Sequence, residues 1–310
     1  MTRVSGAQAG GMQSGVTPVD FGADRAAVGR ALETLQQRYL GAQQGPVSDA
    51  IRYALEGEGK RLRAVLVMAA HRAAGGSRDV SGLAAAIEVV HAYSLVHDDL
   101  PCMDDDDMRR GRPTVHKVFG VPAATAAGMA MVPLAARVAL DAAMDIGLAP
   151  AEGGEIVRTL MRASGATGMI GGQLLDLEGE GRALTLEELE RIHRWKTGAL
   201  IEAAMGIGGI AAGASPALLD AFARYGASVG LAFQIADDVL DITATTDQLG
   251  KTAGKDLAFK KSTYPALLGI AGAKARAEAL VQEACKGLAE HGALTPELEF
   301  LARFIVARRS

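Results

Sequence analysis

Apolar residues recur at helical spacing along most of the chain. Between Asp24 and Leu40 the positions Val28, Leu32, Leu35 and Tyr39 fall three or four apart, which predicts an amphipathic helix, and Gly41 to Pro46 breaks it. The pattern resumes over Val47 to Leu55 and is interrupted by Gly57 and Gly59. It then runs from Lys60 to Ala74, with Leu62, Leu66, Met68 and Ala69, until Gly75-Gly76 stops it. Ser81 offers an N-cap to the next segment, Gly82 to about Leu100, whose stripe of Leu83, Ala86, Ile87, Val90 and Ser94 is disturbed at Pro101. Further helices are predicted over about Val121 to Ile146, Ala151 to Ala163, Thr185 to Ala212 and Pro216 to Ile242, with two shorter ones after Ser262. No period-2 run of useful strand length occurs, and no repeat or low-complexity linker divides the interior. The expected organisation is one all-α domain over residues 21–310 behind a flexible tail of residues 1–20.

Composition agrees with this reading. Of 310 residues 49% are hydrophobic and 22% charged, enough to bury a large core and with no compositional case for disorder. Aromatics at 4%, beside 38 glycines and dense alanine, leave little material for a β framework. A net charge of −4 argues against the broad basic surface that nucleic acid binding needs. Cys102 and Cys285 lie far apart with no paired spacing, so neither a disulfide framework nor a zinc knuckle is indicated, and a reducing cytoplasm fits. The longest apolar stretches, Val121 to Ala136 and Ala203 to Leu219, are broken by Gly, Pro, Thr or Ser and are expected to be buried helices, not membrane spans. The N-terminal residues lack a basic segment followed by an apolar core, so no secretory signal is expected.

Two acidic clusters carry the chemistry. The first, Asp98-Asp99-Leu100-Pro101-Cys102-Met103-Asp104 and onward to Arg109-Arg110, follows directly on the apolar stretch Val89 to Val96. Asp98 and Asp99 therefore start near the core, where an unpaired charge is costly, and they need a cation. The second, Asp237-Asp238-Val239-Leu240-Asp241, lies in another apolar helical run, and Asp237 and Asp241 at i and i+4 share a face. Mg²⁺ keeps several waters and takes one or two carboxylates plus substrate phosphates, so two such clusters describe a site for a magnesium-bound diphosphate. Lys60, Arg63, Arg109, Arg110, Lys196, Lys251 and Lys261 are candidate phosphate contacts, Lys60 and Arg63 being i and i+3 on one helix.

These motifs, in this order, resemble those of the trans-prenyl diphosphate synthases: Gly59-Lys60-Arg61-Leu62-Arg63, the aspartate-rich run with Arg109-Arg110, Gly171-Gly172-Gln173, Lys196-Thr197, and Phe233-Gln234 before the second aspartate cluster. The match runs from about residue 57 to 265. The resemblance implies an all-helical bundle around a deep apolar cavity, usually a homodimer, that condenses isopentenyl diphosphate with an allylic diphosphate. It implies further that Asp98, Asp104 and Asp237 hold magnesium on the allylic diphosphate, with Asp99, Asp238 and Asp241 supporting. Lys60, Arg63, His91 and Arg110 would bind isopentenyl diphosphate. Arg109, Lys196, Thr197, Gln234, Lys251 and Lys261 would contact the allylic diphosphate or the developing cation.

By the same resemblance Tyr93, beside Ser94 and five residues before Asp98, is the candidate floor that stops elongation at fifteen carbons. Five more buried carbons would gain roughly 4 kcal/mol, so affinity alone would not stop growth and a steric block must. Gly128-Met129, where many members have Gly-Asp, resembles some twenty-carbon-forming relatives and leaves geranylgeranyl diphosphate as the alternative product. Ala64 stands where a Pro often follows the basic motif. A terpene cyclase would not repeat Asp-Asp-x-x-Asp in its second motif, a head-to-head synthase would not carry the Arg109-Arg110 tail at this spacing, and a non-catalytic partner subunit would usually lose one aspartate motif.

Overall fold

The computed structural model describes residues 18–57, 59–243 and 262–307. Its helices are α1 (Gly22–Leu40), α2 (Pro46–Leu55), α3 (Leu62–Ala73), α4 (Ser81–Asp98), α5 (Val115–Phe119), α6 (Val121–Asp145), α7 (Pro150–Ser164), α8 (Met169–Gly179), α9 (Leu186–His193), α10 (Ala199–Ala211) and α11 (Pro216–Thr243). After these come α12 (Tyr264–Ala289) and α13 (Pro296–Ala307). A two-stranded antiparallel hairpin, β1 (Met108–Arg109) with β2 (Arg112–Pro113), is the one sheet among the described residues.

Helices whose sequence is apolar all round sit in the middle. In α3 every residue from Ala64 to His71 is buried, and in α4 every residue from Leu83 to Val90. α10 packs between α3 and α11, α4 runs along α6, and α12 along α11. Close approach there depends on missing side chains. A Cβ on Gly230 of α11 would stand 2.8 Å from the Cα of Gly198, and one on Gly208 of α10 would stand 2.3 Å from the Val67 carbonyl oxygen of α3.

The differences from the sequence reading are local. The amide of Ser81 is bonded to Asp79 Oδ1 at 2.9 Å, so Asp79, not Ser81, supplies the side chain at the start of α4. The helix expected over Thr185 to Ala212 begins with a capping box, in which the Thr185 amide donates to Glu188 Oε2 at 2.8 Å and the Glu188 amide to Thr185 Oγ1 at 3.3 Å. It is then broken by a π-turn at Arg194–Gly198. Periodicity does not reveal a single inserted residue of this kind. The first helix after Ser262 is 26 residues long, not short, and kinks at Gly269, whose φ of 69° favours glycine. α8 is a helix that its Gly-Gly start concealed.

The stretch Val121 to Ala136 is only half as buried as expected. α6 puts Ala124, Ala127, Met131, Ala135, Val138 and Ala139 into the core, whereas Met129, Leu140 and Met144 are 67%, 38% and 56% exposed. α6 is also the one described helix long and apolar enough to cross a membrane.

Candidate active site

The first aspartate cluster is folded back on itself at the end of α4. Asp98 closes the helix, and the Asp104 amide donates to the Asp98 carbonyl at 2.8 Å while the Asp105 amide donates to that of Leu100 at 3.2 Å. This tight loop brings Asp104 beside Asp98, although six positions separate them in sequence. The hairpin then returns Arg109 to the cluster, where its Nε and Nη2 reach one oxygen of the buried Asp99 at 2.7 and 2.6 Å. Asp98 has no such guanidinium. Desolvation pushes its carboxyl up to about 6, Asp104 and Asp99 push the same way, and Lys196 and Arg109 pull back.

The basic groups gather next to it. Burial lowers Arg63 from its ordinary range; Glu88 and Asp237 oppose that shift and Arg110 adds to it. The Nε of Arg63 is buried without a partner. Arg110 lies across the bare backbone of Gly59, where a Cβ would come within 2.6 Å of its Nη1. His91, half-buried one helix turn beyond Glu88, is pushed well below its ordinary range by desolvation and by Arg63, Arg110, Arg109 and Arg61, so it is neutral at pH 7. Lys60 is exposed at the rim of this group.

The second aspartate cluster lies on α11, with Asp237 within electrostatic reach of Arg63. Its three members differ. Asp238 is buried, accepts the Tyr264 amide at 2.9 Å and faces His193 Nε2 at 3.6 Å, tying α11 to the start of α12. Asp241 is buried with one carboxylate oxygen unpartnered, and Asp237 is half-buried. Gln234 lies one turn before Asp238 and one turn after Gly230, on the face of α11 pressed against the π-turn that carries Lys196 and the buried Thr197. Lys196 Nζ donates to Asp176 of α8 at 2.6 Å. Lys251 and Lys261 lie outside the described residues.

Tyr93 is 8% exposed, and its ring meets that of His97 edge-on at 4.9 Å. His97 is held in turn by the Thr125 carbonyl oxygen at 3.1 Å and seated over Gly128, where a Cβ would stand 2.1 Å from Nε2. The Ser94 hydroxyl donates to the His91 carbonyl at 2.9 Å, within its own helix.

Some residues of the site escaped sequence reasoning. Glu88, 3% exposed, accepts from Arg61 Nη1 at 3.2 Å and from the Ala64 amide at 3.3 Å, so a buried carboxylate orders the basic turn before α3. A lone Glu in an apolar helix was its only signal. Asp176 is another such residue. Asp105, Asp107 and His116 place ligand atoms within 4.8 Å of one another at the foot of the hairpin, but Lys117 pairs with Asp107 at 2.7 Å. A pocket of about 320 Å³ between α1, the start of α4 and α6 lies at the opposite end of α4, some 25 Å from Asp98, and is separate from this site.

Two carboxylate clusters thus lie near a set of desolvated guanidiniums, and the chain as a whole is similar to known proteins. The polyprenyl synthetase family profile matches residues 44–295. The farnesyl diphosphate synthase of Escherichia coli is 46% identical over 86% of this chain and 90% of its own length. The chain belongs to the polyprenyl synthetase family. A chloroplastic geranylgeranyl pyrophosphate synthase of Arabidopsis thaliana is 42% identical over 85% of this chain and 77% of its own. A geranyltransferase of Helicobacter pylori, solved with magnesium and an isoprenyl diphosphate, superimposes with a TM-score of 0.77 at 29% identity, covering 94% of this chain and 98% of that one.

Divalent metal ions are the cofactors of polyprenyl synthetases, and the donor set fits them. The acidic oxygens are hard ligands, Asp98 is a half-buried carboxylate whose ionisation desolvation opposes, and Asp241 keeps a bare oxygen in the interior.

Proposed function

We propose that this polyprenyl synthetase condenses isopentenyl diphosphate head-to-tail with dimethylallyl and then geranyl diphosphate, releasing diphosphate and ending at farnesyl diphosphate. Geranylgeranyl diphosphate is the alternative product, favoured by Met129 where many relatives carry Asp. The observation that carries the reading is the separation of charge: an acidic half built on Asp98, Asp104 and Asp237, and a basic half built on Arg63, Arg110 and neutral His91.

In the acidic half Asp98, Asp104 and Asp237 would hold Mg²⁺, with Asp99, Asp238 and Asp241 supporting. When bound, the metal neutralises the charge that accumulates on the departing diphosphate. Lys196 and Arg109, already fixed by carboxylate partners, would supply positive charge to the same diphosphate with little reorganisation. Lys251 and Lys261 are assigned to that half by the family pattern. Thr197 and Gln234 would contact the allylic diphosphate or the developing allylic cation. In the basic half Lys60, Arg63 and Arg110 take the second diphosphate, and the unpartnered Nε of Arg63 is a donor waiting for an anion. The site works by positioning: it holds one double bond next to one developing cation, so no nucleophilic side chain is required.

The chain grows along α4 toward its N-terminus, where Tyr93 forms the floor. We further assign one catalytic domain to residues 21–310, a cytoplasmic location, and a homodimer formed on the exposed apolar stripe of α6 that carries Met129, Pro133, Leu140 and Met144. With its other face in the core, α6 is a helix of a soluble bundle.

The test is to incubate purified protein with Mg²⁺, labelled isopentenyl diphosphate and, separately, five-, ten- or fifteen-carbon starters, then size the dephosphorylated products. A fifteen-carbon product that is not extended supports the reading. A twenty-carbon product moves the floor, and no condensation with any starter overturns the catalytic assignment.

A further inference from the structure

α8 touches the π-turn backbone to backbone. A Cβ on Gly172 would come within 2.1 Å of the Lys196 amide nitrogen and 2.6 Å of its Cα, so only glycine lets the helix lie there. One turn further along the same face, Asp176 Oδ2 accepts from Lys196 Nζ at 2.6 Å, and both side chains are largely shielded, 18% and 25% exposed. The ammonium is also the strongest opposing charge felt by Asp98. Lys196 is thus within electrostatic reach of carboxylates on two helices, and its direct bond goes to the one outside the aspartate motifs.

We propose that Asp176 is a positioning residue for the allylic half of the reaction. It draws the Lys196 ammonium away from Asp98, which leaves that carboxylate open to a divalent cation, and it fixes the ammonium where it can meet a leaving diphosphate. The physical need is specific. A lysine side chain is a flexible point charge with three donors, and without Asp176 it keeps an attraction to Asp98. An unanchored Lys196 would compete with the metal for Asp98 and would have to be reoriented at each turnover. The π-turn and Gly172 together make the arrangement possible, since they set Lys196 outside the register of α9 and α10 and bring α8 close enough for Asp176 to reach it.

The role rests on the prenyltransferase reading, and the experiment separates the two. Asp176→Asn keeps the shape and one acceptor but removes the charge, and Asp176→Glu restores the charge on a longer arm. Wild type, both variants, Lys196→Ala and the double variant Asp176→Asn/Lys196→Ala are assayed with each substrate varied in turn. Binding of an unreactive allylic thiolodiphosphate is titrated calorimetrically at several Mg²⁺ concentrations, and melting temperatures are recorded.

The expected result for D176N is a fall in kcat/KM for the allylic substrate of at least about tenfold, weaker analogue binding that extra Mg²⁺ partly recovers, and an unchanged KM for isopentenyl diphosphate. D176E recovers part of the loss. The double variant is no worse than Lys196→Ala, because the effect of Asp176 passes through that lysine. A wild type that condenses and binds the analogue beside a D176N that matches it overturns this role alone. So does a double variant whose losses multiply, or a D176N that loses both substrates equally with its melting temperature. A wild type that neither condenses nor binds the analogue overturns the functional reading, and this role with it.

Discussion

Arg109 donates through both Nε and Nη2 to one carboxylate oxygen of Asp99, at 2.7 and 2.6 Å, and thereby closes the hairpin back on the end of α4. Its neighbour Asp98, one residue earlier, gets no such partner and carries an ionisation pushed up to about 6. Adjacent aspartates thus have different work: one holds the loop together and the other is left short of a cation.

The two should therefore separate on substitution. Asp99→Asn is expected to cost about 1–3 kcal/mol of stability, since it removes the nearest charged partner of a shielded guanidinium and leaves it only the longer contact to Asp106 at 3.6 Å. Asp98→Asn is expected to abolish condensation yet leave the metal-free protein as stable as wild type or more so at pH 8. Thermal melts in EDTA check both, and an Asp98→Asn variant that melts below Asp99→Asn refutes the division.

The same asymmetry sets a pH dependence. A carboxyl whose folded value is raised from 3.8 to about 6 binds its proton more tightly in the folded chain, so the contribution of Asp98 to metal-free stability is full below pH 4 and is lost as pH rises through 6, by about 3 kcal/mol. Burial raises Asp99 in the same direction. Denaturant unfolding in EDTA between pH 4.5 and 7.5 measures this contribution, and adding Mg²⁺ with an allylic diphosphate should flatten or reverse it.

Under the proposed function, product length depends on the contacts of Tyr93 with His97 and of His97 with Thr125 and Gly128. Tyr93→Ala opens space beneath the aspartates and should lengthen the product to twenty carbons or beyond, at a stability cost of about 3 kcal/mol. Gly128→Ala pushes a methyl into the His97 ring, removes the support of Tyr93 from behind, and should lower the melting temperature by several degrees while broadening the product distribution. Chromatography of the dephosphorylated products reads both.

Arg63→Gln should raise the KM for isopentenyl diphosphate tenfold or more and leave that for the allylic substrate within about twofold, because Arg63 sits in the basic half with its Nε free for an anion. Steady-state kinetics with each substrate varied in turn provides the check.

Met144→Glu places a charge on the exposed apolar stripe of α6 and is expected to convert a dimer into a monomer, seen as a halved mass in light scattering with little change in helix content. A wild type that is already monomeric at micromolar concentration contradicts the homodimer.

Much of this molecule could be read before its coordinates. Helices α1, α2, α3, α4, α6, α7 and α11 fall within a residue or two of the segments marked by 3.6-residue periodicity, because each must bury one stripe or all of its surface, and burial leaves a pattern along the chain. Two aspartate clusters inside apolar runs were visible for the same reason: charge beside a core is costly and stands out. What local pattern did not carry was decided by packing between distant segments. The π-turn at Arg194–Gly198, the contact of Gly172 with Lys196, the clamp of Glu88 on the basic turn and the unequal fates of Asp98 and Asp99 each involve partners ten or more positions away. Periodicity records which face of a helix is buried. Which charge meets which across that buried face is settled only when the helices are laid together, since desolvation and Coulomb attraction act through space and leave no mark at fixed spacing along the chain.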